Sequence, residues 1–296
     1  FKAMIAPLTL DPGLSGNLDD LVLLAKEVVE GALSGLHRSP FLGYSSEFSS
    51  YRPYIQGDNL RFVDWKVWGR TDKLYVKQFE DDTNLTCQIL LDASASMDFG
   101  RHNKFHYGRL LAMALAYLMS RQHDAVGLAL ISQGTQTALP PHHGPQHLDN
   151  IFTTLARTVA EGHTLGGSDV ARVVETFNRR GLTVIISDLM TPGEEACELL
   201  RQLRSRRQEV IVFHVMAAEE LDFELDGEFL FEDAESGATI PLHAGAFRKE
   251  YLERVREFRQ WMEKECEKLE ADYQLVRTDQ PVADVLPAYL ERRMAV

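Results

Sequence analysis

The stretch "QILLDASASMD", residues 88–98, decides how the rest of the chain is read. Residues 88–91 read as a strand entering a core. The chain then turns polar, with Asp92, Ser94 and Ser96 separated by the alanines at 93 and 95. In an open parallel sheet, ligands bind beyond the carboxyl ends of the strands. One carboxylate and two hydroxyls at such an end offer only oxygen. That donor set suits a hard divalent cation, Mg²⁺ or else Mn²⁺ or Ca²⁺, better than zinc. The competing reading is structural: Ser and Asp also cap helices, and Asp92 can bind backbone amides.

Working outward, apolar strand candidates alternate with helical patterns from residue 85 onward. Strands are expected at 85–91, 125–132, 182–187, 209–216 and 273–277, and helices at 104–122, 146–160, 168–179 and 194–206. Such alternation predicts an α/β fold with a doubly wound, Rossmann-like, mainly parallel sheet. The strands are apolar at nearly every position, as expected of a sheet covered on both faces. The helix from Lys104 is apolar almost all round, which marks it as central and buried.

The rest of the chain departs from that rhythm. Residues 17–36 carry apolar positions at helical spacing, so 1–36 reads as an N-terminal helical segment. Residues 37–84 are rich in Gly, Pro, aromatics and charge and read as a small β-rich module. Residues 226–242 read as a hairpin insertion with a turn near Glu235, Ser236 and Gly237, packed with that module. An amphipathic helix over 247–269, a last strand and a last helix complete a domain spanning 85–296.

Composition narrows the function. The 296 residues are 45% hydrophobic and 25% charged, the mixture of a globular protein with a sizeable core. A net charge of −13 argues against nucleic-acid binding, which draws its affinity from a basic face. The basic run at 201–207 reads as a solvated helix face. Cys87, Cys197 and Cys266 are scattered and odd in number, so neither a disulfide framework nor a zinc site is expected. His142, His143 and His147 lack a further ligand at metal spacing and read as loop histidines. The start "FKAMIAPLTLDPG" carries no secretory signal, and no run approaches a membrane span, so a cytoplasmic location is expected.

A second carboxylate comes from "LTVIISDLM", where Ser187 and Asp188 end another strand. Between the two strand ends, "EGHTLGGSDV" supplies a polar loop with Thr164 and Ser168. "DASASM" resembles the Asp-x-Ser-x-Ser motif of von Willebrand factor A (VWA) domains and their metal-ion-dependent adhesion site (MIDAS). The resemblance implies a doubly wound sheet of VWA type. It places Asp92, Ser94, Ser96, Thr164 and Asp188 around a cation, with Ser168 a rival to Thr164. The hydroxyls would ligate directly, the aspartates largely through water, and a partner's carboxylate would fill the open position.

The upstream module carries a wider resemblance. Tyr54, Gly57-Asp58, Arg61, Asp64-Trp65 and Arg70, followed by the VWA motif, are similar to the "domain of unknown function 58" proteins, as are "FEDAESG" and "YQLVRTDQP". Asp58, Arg61, Asp64, Trp65 and Arg70 read equally as a binding face or a structural polar network. The resemblance covers the chain from about residue 43 onward. It implies a non-enzymatic, metal-dependent protein-binding module of bacterial type. The implied role is that of adaptor or co-chaperone for a MoxR-type AAA+ ATPase, with the ATPase or a client protein supplying the carboxylate. The chain has no phosphate-binding Gly-x-x-x-x-Gly-Lys-Ser/Thr loop, so an ATPase would act in trans.

The main catalytic alternative is a haloacid-dehalogenase-like phosphotransferase with Asp92 as nucleophile. Those enzymes need an acid two residues on, where this chain has Ser94, and a downstream lysine, for which nothing after Asp188 is an obvious candidate. A serine hydrolase is excluded by the lack of a Gly-x-Ser-x-Gly elbow.

Overall fold

The structure is a computed structural model. It describes residues 2–3, 18–36, 47–53, 65–71, 73–80, 85–132, 137–163, 174–175, 180–190, 193–232, 237–287 and 289. The chain divides into two compact units, residues 35–84 and the remainder, 1–34 with 85–296. The strands are β1 (Lys2–Ala3), β2 (Glu47–Pro53), β3 (Tyr75–Glu80), β4 (Thr86–Asp92), β5 (Ala125–Ile131), β6 (Ala138–His142), β7 (Gly181–Ser187), β8 (Gln208–Met216), β9 (Glu228–Glu232), β10 (Thr239–His243) and β11 (Ala271–Arg277). The helices are α1 (Leu18–Leu36), α2 (Trp65–Thr71), α3 (Lys104–Arg121), α4 (Pro145–Arg157), α5 (Gly193–Ser205), α6 (Ala218–Asp222) and α7 (Ala244–Lys268).

The larger unit is built on a six-stranded sheet in the order β11-β8-β7-β4-β5-β6. All its pairs are parallel except β5 with β6. The expected doubly wound α/β architecture is therefore present. Each central strand sends alternate residues to opposite faces. Ile89 and Leu91 of β4, Val184 and Ile186 of β7, and Phe213 of β8 meet α1, α3 and α4 on one face. Leu90, Ile185 and Val212 meet Leu200 and Leu203 of α5 and Met262 and Cys266 of α7 on the other. Both faces being covered explains why these strands have no polar side.

Helix α3 is the central helix, with Leu111, Met113, Leu115 and Met119 fully buried. Asn103 starts it by accepting from the His106 amide at 3.0 Å. Gly108 lets it lie close to the sheet: a Cβ there would meet Ile186 and Leu91 at 3.2 Å each. That contact holds the first turn of α3, and so Lys104, against the ends of β4 and β7.

Strands β9 and β10 form the expected hairpin, and β1 pairs antiparallel with β9. The hairpin packs through Phe231 onto Phe223 and Ala244, with Tyr251 of α7 alongside. Residues 35–84 contain an antiparallel pair, β2 with β3, and the seven-residue α2, so this module has a helical part as well as strands. Strand β6 and helix α6 were not expected from the sequence. Among the described residues, no helix is long and apolar enough to cross a membrane.

Candidate functional site

Strands β4 and β7 lie side by side with Leu91 aligned to Ile186. Asp92 and Ser187 therefore leave the sheet together. The chain continues from β4 to β5 on the opposite side. The winding reverses here, which is where doubly wound sheets place their crevice.

Asp92 is buried, and both its oxygens are engaged. Oδ1 accepts from the Ser94 amide at 3.0 Å, and Oδ2 accepts from the Ser187 hydroxyl at 2.6 Å. Ser187 Oγ also accepts from the Leu189 amide at 2.9 Å. Burial and the charge of Asp188 push the Asp92 carboxyl up to about 6, against the opposing pull of the Ser187 and Ser94 hydrogen bonds. Ser94 is buried, Ser96 half-buried, and their hydroxyl oxygens lie 3.0 Å apart.

Asp188 faces a lysine that sequence reasoning did not select. Lys104 Nζ, only 1% exposed, donates to Asp188 Oδ2 at 2.7 Å and to Glu220 Oε1 at 2.8 Å. Burial works against the ammonium, but the two carboxylates outweigh it and hold its pKa above the usual lysine range. Glu220 also accepts from the Ala217 amide at 2.8 Å, and Asp188 Oδ1 accepts from the Met190 amide at 3.2 Å. Leu189, between them, has a φ of 53°, a left-handed turn that a leucine adopts under strain. The signal that flags Lys104 is its position. A cation in the first turn of a helix opposes the macrodipole, so it needs a local anion.

Behind this pair lies His214, fully buried, with Nδ1 at 2.5 Å from the Tyr273 hydroxyl. Burial pushes it down to about 4, though the Asp188 charge and a hydrogen bond to the Asp188 backbone pull the other way.

The loop after α4 is fastened to the Asp-Ser-Ser turn. The Ala95 amide donates to the Gly162 carbonyl, and the Glu161 amide donates to the Ala93 carbonyl, both at 2.9 Å. The segment entering Thr164 thus runs beside Ser94 and Ser96. Thr164 and Ser168 themselves lie outside the described residues, as do Asp58, Arg61 and Asp64. Trp65 opens α2, and Arg70 is exposed in its last turn. Of the expected cation-site residues, the structure brings together Asp92, Ser94, Ser96 and Asp188. No cluster of three or more His, Cys, Asp or Glu with metal-ligand geometry occurs among the described residues. A cation here would depend on hydroxyls.

The donors fit a small hard cation. Two cis ligands of an octahedral Mg²⁺, each about 2.0–2.1 Å from the metal, lie about 2.9 Å apart. The Ser94 and Ser96 hydroxyls are hydrogen-bonded to each other with their oxygens 3.0 Å apart, a spacing that two cis ligands could keep once a cation replaced that bond. Each carboxylate oxygen has two lone pairs, so the bonds that Asp92 and Asp188 already make leave acceptor capacity for water or a cation.

A family match agrees with the resemblance to the "domain of unknown function 58" proteins. The sequence profile of the family described as "Protein of unknown function DUF58" matches residues 50–261. The chain is 31% identical over 235 residues to the uncharacterized protein Rv1480 of Mycobacterium tuberculosis (strain H37Rv), covering 77% of this chain and 73% of that one. Among solved structures, the conserved hypothetical protein BatB from Bacteroides thetaiotaomicron is similar at 16% identity and a TM-score of 0.49, over 72% of this chain and 100% of that one. An aerotolerance-related membrane protein from Bacteroides fragilis gives 16% and 0.48, over 70% and 97%.

Proposed function

We propose that this chain, which belongs to the DUF58 family of proteins of unknown function, is a protein-binding module that captures a partner's carboxylate through a divalent cation, Mg²⁺ or else Mn²⁺ or Ca²⁺. The observation that carries this reading is the 3.0 Å pair of serine hydroxyls at the reversal point of the sheet, with Asp92 and Asp188 behind it. Ser94 and Ser96 would hold the cation directly, and the aspartates would orient its waters. When bound, the cation supplies an open position for an oxygen from the partner.

The geometry favours binding over catalysis. A nucleophilic Asp92 of the haloacid-dehalogenase type would need an acid two residues on, and that position is Ser94, whose amide donates to Asp92. Lys104 contacts Asp188 and Glu220, so its ammonium is committed to them. The finer reading is an adaptor that presents client proteins to a MoxR-type AAA+ ATPase. It rests on the family resemblance.

Calorimetric titration of chelator-treated protein with Mg²⁺ and Mn²⁺ tests the site. Saturable binding at one equivalent, lost in Ser94→Ala and Ser96→Ala, is the expected result. Equal heats from wild type and both variants would remove the cation from the mechanism. Pull-down of a MoxR-type ATPase with and without chelator tests the adaptor role.

A further inference from the structure

Asp188 also forms part of the wall of a cavity of about 600 Å³. Leu189 and Met190 enter it from the end of β7, Phe231 and Leu242 from the hairpin, and Tyr251 and Phe258 from α7. The volume is in the range of pockets that bury ligands, roughly 300–1,000 Å³. Met190, 53% exposed, and Ile240, 45% exposed, both line it, so the cavity reaches solvent past two apolar side chains.

The polar groups of the lining are engaged by other groups of the protein. Asp188 and Glu220 share Lys104 and accept backbone amides. Glu219 accepts from the Arg101 amide, Arg254 donates to Glu250, and His214 pairs with Tyr273. An occupant is therefore recognised through apolar surface. Charge then separates the candidates. A free fatty acid would bring an anionic head towards Asp188, Glu219 and Glu220, where the nearby cations are already matched, Lys104 by Asp188 and Glu220 and Arg254 by Glu250. A polypeptide avoids this clash because its acid can sit on the cation while neutral apolar side chains fill the cavity.

We propose that the cavity receives bulky apolar side chains of a partner polypeptide, carried on the same segment whose carboxylate meets the cation at Ser94 and Ser96. The choice of a polypeptide rests on the cation-site reading. The recognised element is an acidic residue with aromatic or aliphatic residues close by in sequence.

Phage-displayed peptides of about twelve residues, selected on the intact chain with Mn²⁺ present, supply the probes. Enriched peptides are expected to pair an acidic residue with bulky apolar ones. Each is then titrated against wild type, Ile240→Glu, Met190→Glu and Ser94→Ala. The two Glu variants replace exposed side chains and leave the core intact. A loss of tenfold or more in both Glu variants, the scale of losing a buried apolar anchor, supports the proposal. If Ser94→Ala binds as wild type while the Glu variants do not, the cavity stands and the cation reading falls. If only Ser94→Ala loses binding, the cavity proposal is overturned and the cation reading stands. Failure to enrich any apolar peptide overturns it, as does saturable binding of sodium laurate that displaces the peptides.

Discussion

Lys104 Nζ lies 2.7 Å from Asp188 Oδ2 although the two residues are 84 positions apart, and both are sealed from solvent. The pair ties the first turn of α3 to the end of β7, and Glu220 extends it to α6. Removing one partner leaves uncompensated charge in the interior, which destabilises far more than loss of a surface ion pair. Lys104→Met is expected to lower unfolding free energy by about 3–5 kcal/mol in urea titrations at neutral pH. Adding Asp188→Asn to Lys104→Met should recover part of that loss.

The pH dependence of Asp92 runs opposite to that of most carboxylates. Its folded pKa, about 6, exceeds the usual 3.8, so the folded state holds the proton more tightly. Stability from this group is fully present below pH 3.8 and is lost as pH rises through about 6. A pKa rise of this size corresponds to about 3 kcal/mol. His214 acts in the other direction. Its pKa falls from 6.5 to about 4, so its contribution is present above 6.5 and lost as pH falls through 4. Asp92→Asn isolates the first effect because the amide resembles the protonated acid. In chelator, the variant should match wild type near pH 4 and be more stable by about 3 kcal/mol near pH 7. Denaturation curves at the two pH values check this.

Cation affinity should fall in acid for the same reason. Asp92 must release its proton to support a cation, so Mn²⁺ affinity is expected to drop by up to about tenfold per unit below pH 6. Titration should also show proton release into buffers of differing ionisation heat near pH 6. A flat affinity between pH 5 and 7 would separate Asp92 from cation binding.

Gly108→Ala probes how α3 is seated. The added Cβ would press on Ile186 and Leu91 at 3.2 Å, tighter than ordinary contact. A cost of about 1–3 kcal/mol is expected. Because the displaced helix carries Lys104, cation affinity should change along with stability. Gly31→Ala meets no atom within 4 Å and should leave both unchanged or slightly improved.

The central sheet was legible because β4, β5, β7 and β8 are buried on both faces and show unbroken apolar runs. Strand β6 was not, because Ala138–His142 alternates between exposed and half-buried and holds two prolines. Helix α6 is five residues long, too short to show a period. Within the site, Asp92, Ser94 and Ser96 declare themselves by spacing on one turn, and Asp188 by ending a strand. Glu220 sits 116 residues from Lys104 and meets it only through the winding of the sheet. No local pattern marks that meeting.

The prolines of β6 have a consequence for self-association. This strand ends the sheet among the described residues, and Pro140 and Pro141 lack amide hydrogens, so a docking strand would miss a donor at the centre of this edge. Sheets exposed at an edge are prone to stack into fibrils or exchange strands between copies. A short edge with prolines at its centre resists that growth on its side. Replacing both prolines with valine would offer a continuous β-branched template, and polymerisation on gentle heating is the behaviour that this edge holds off.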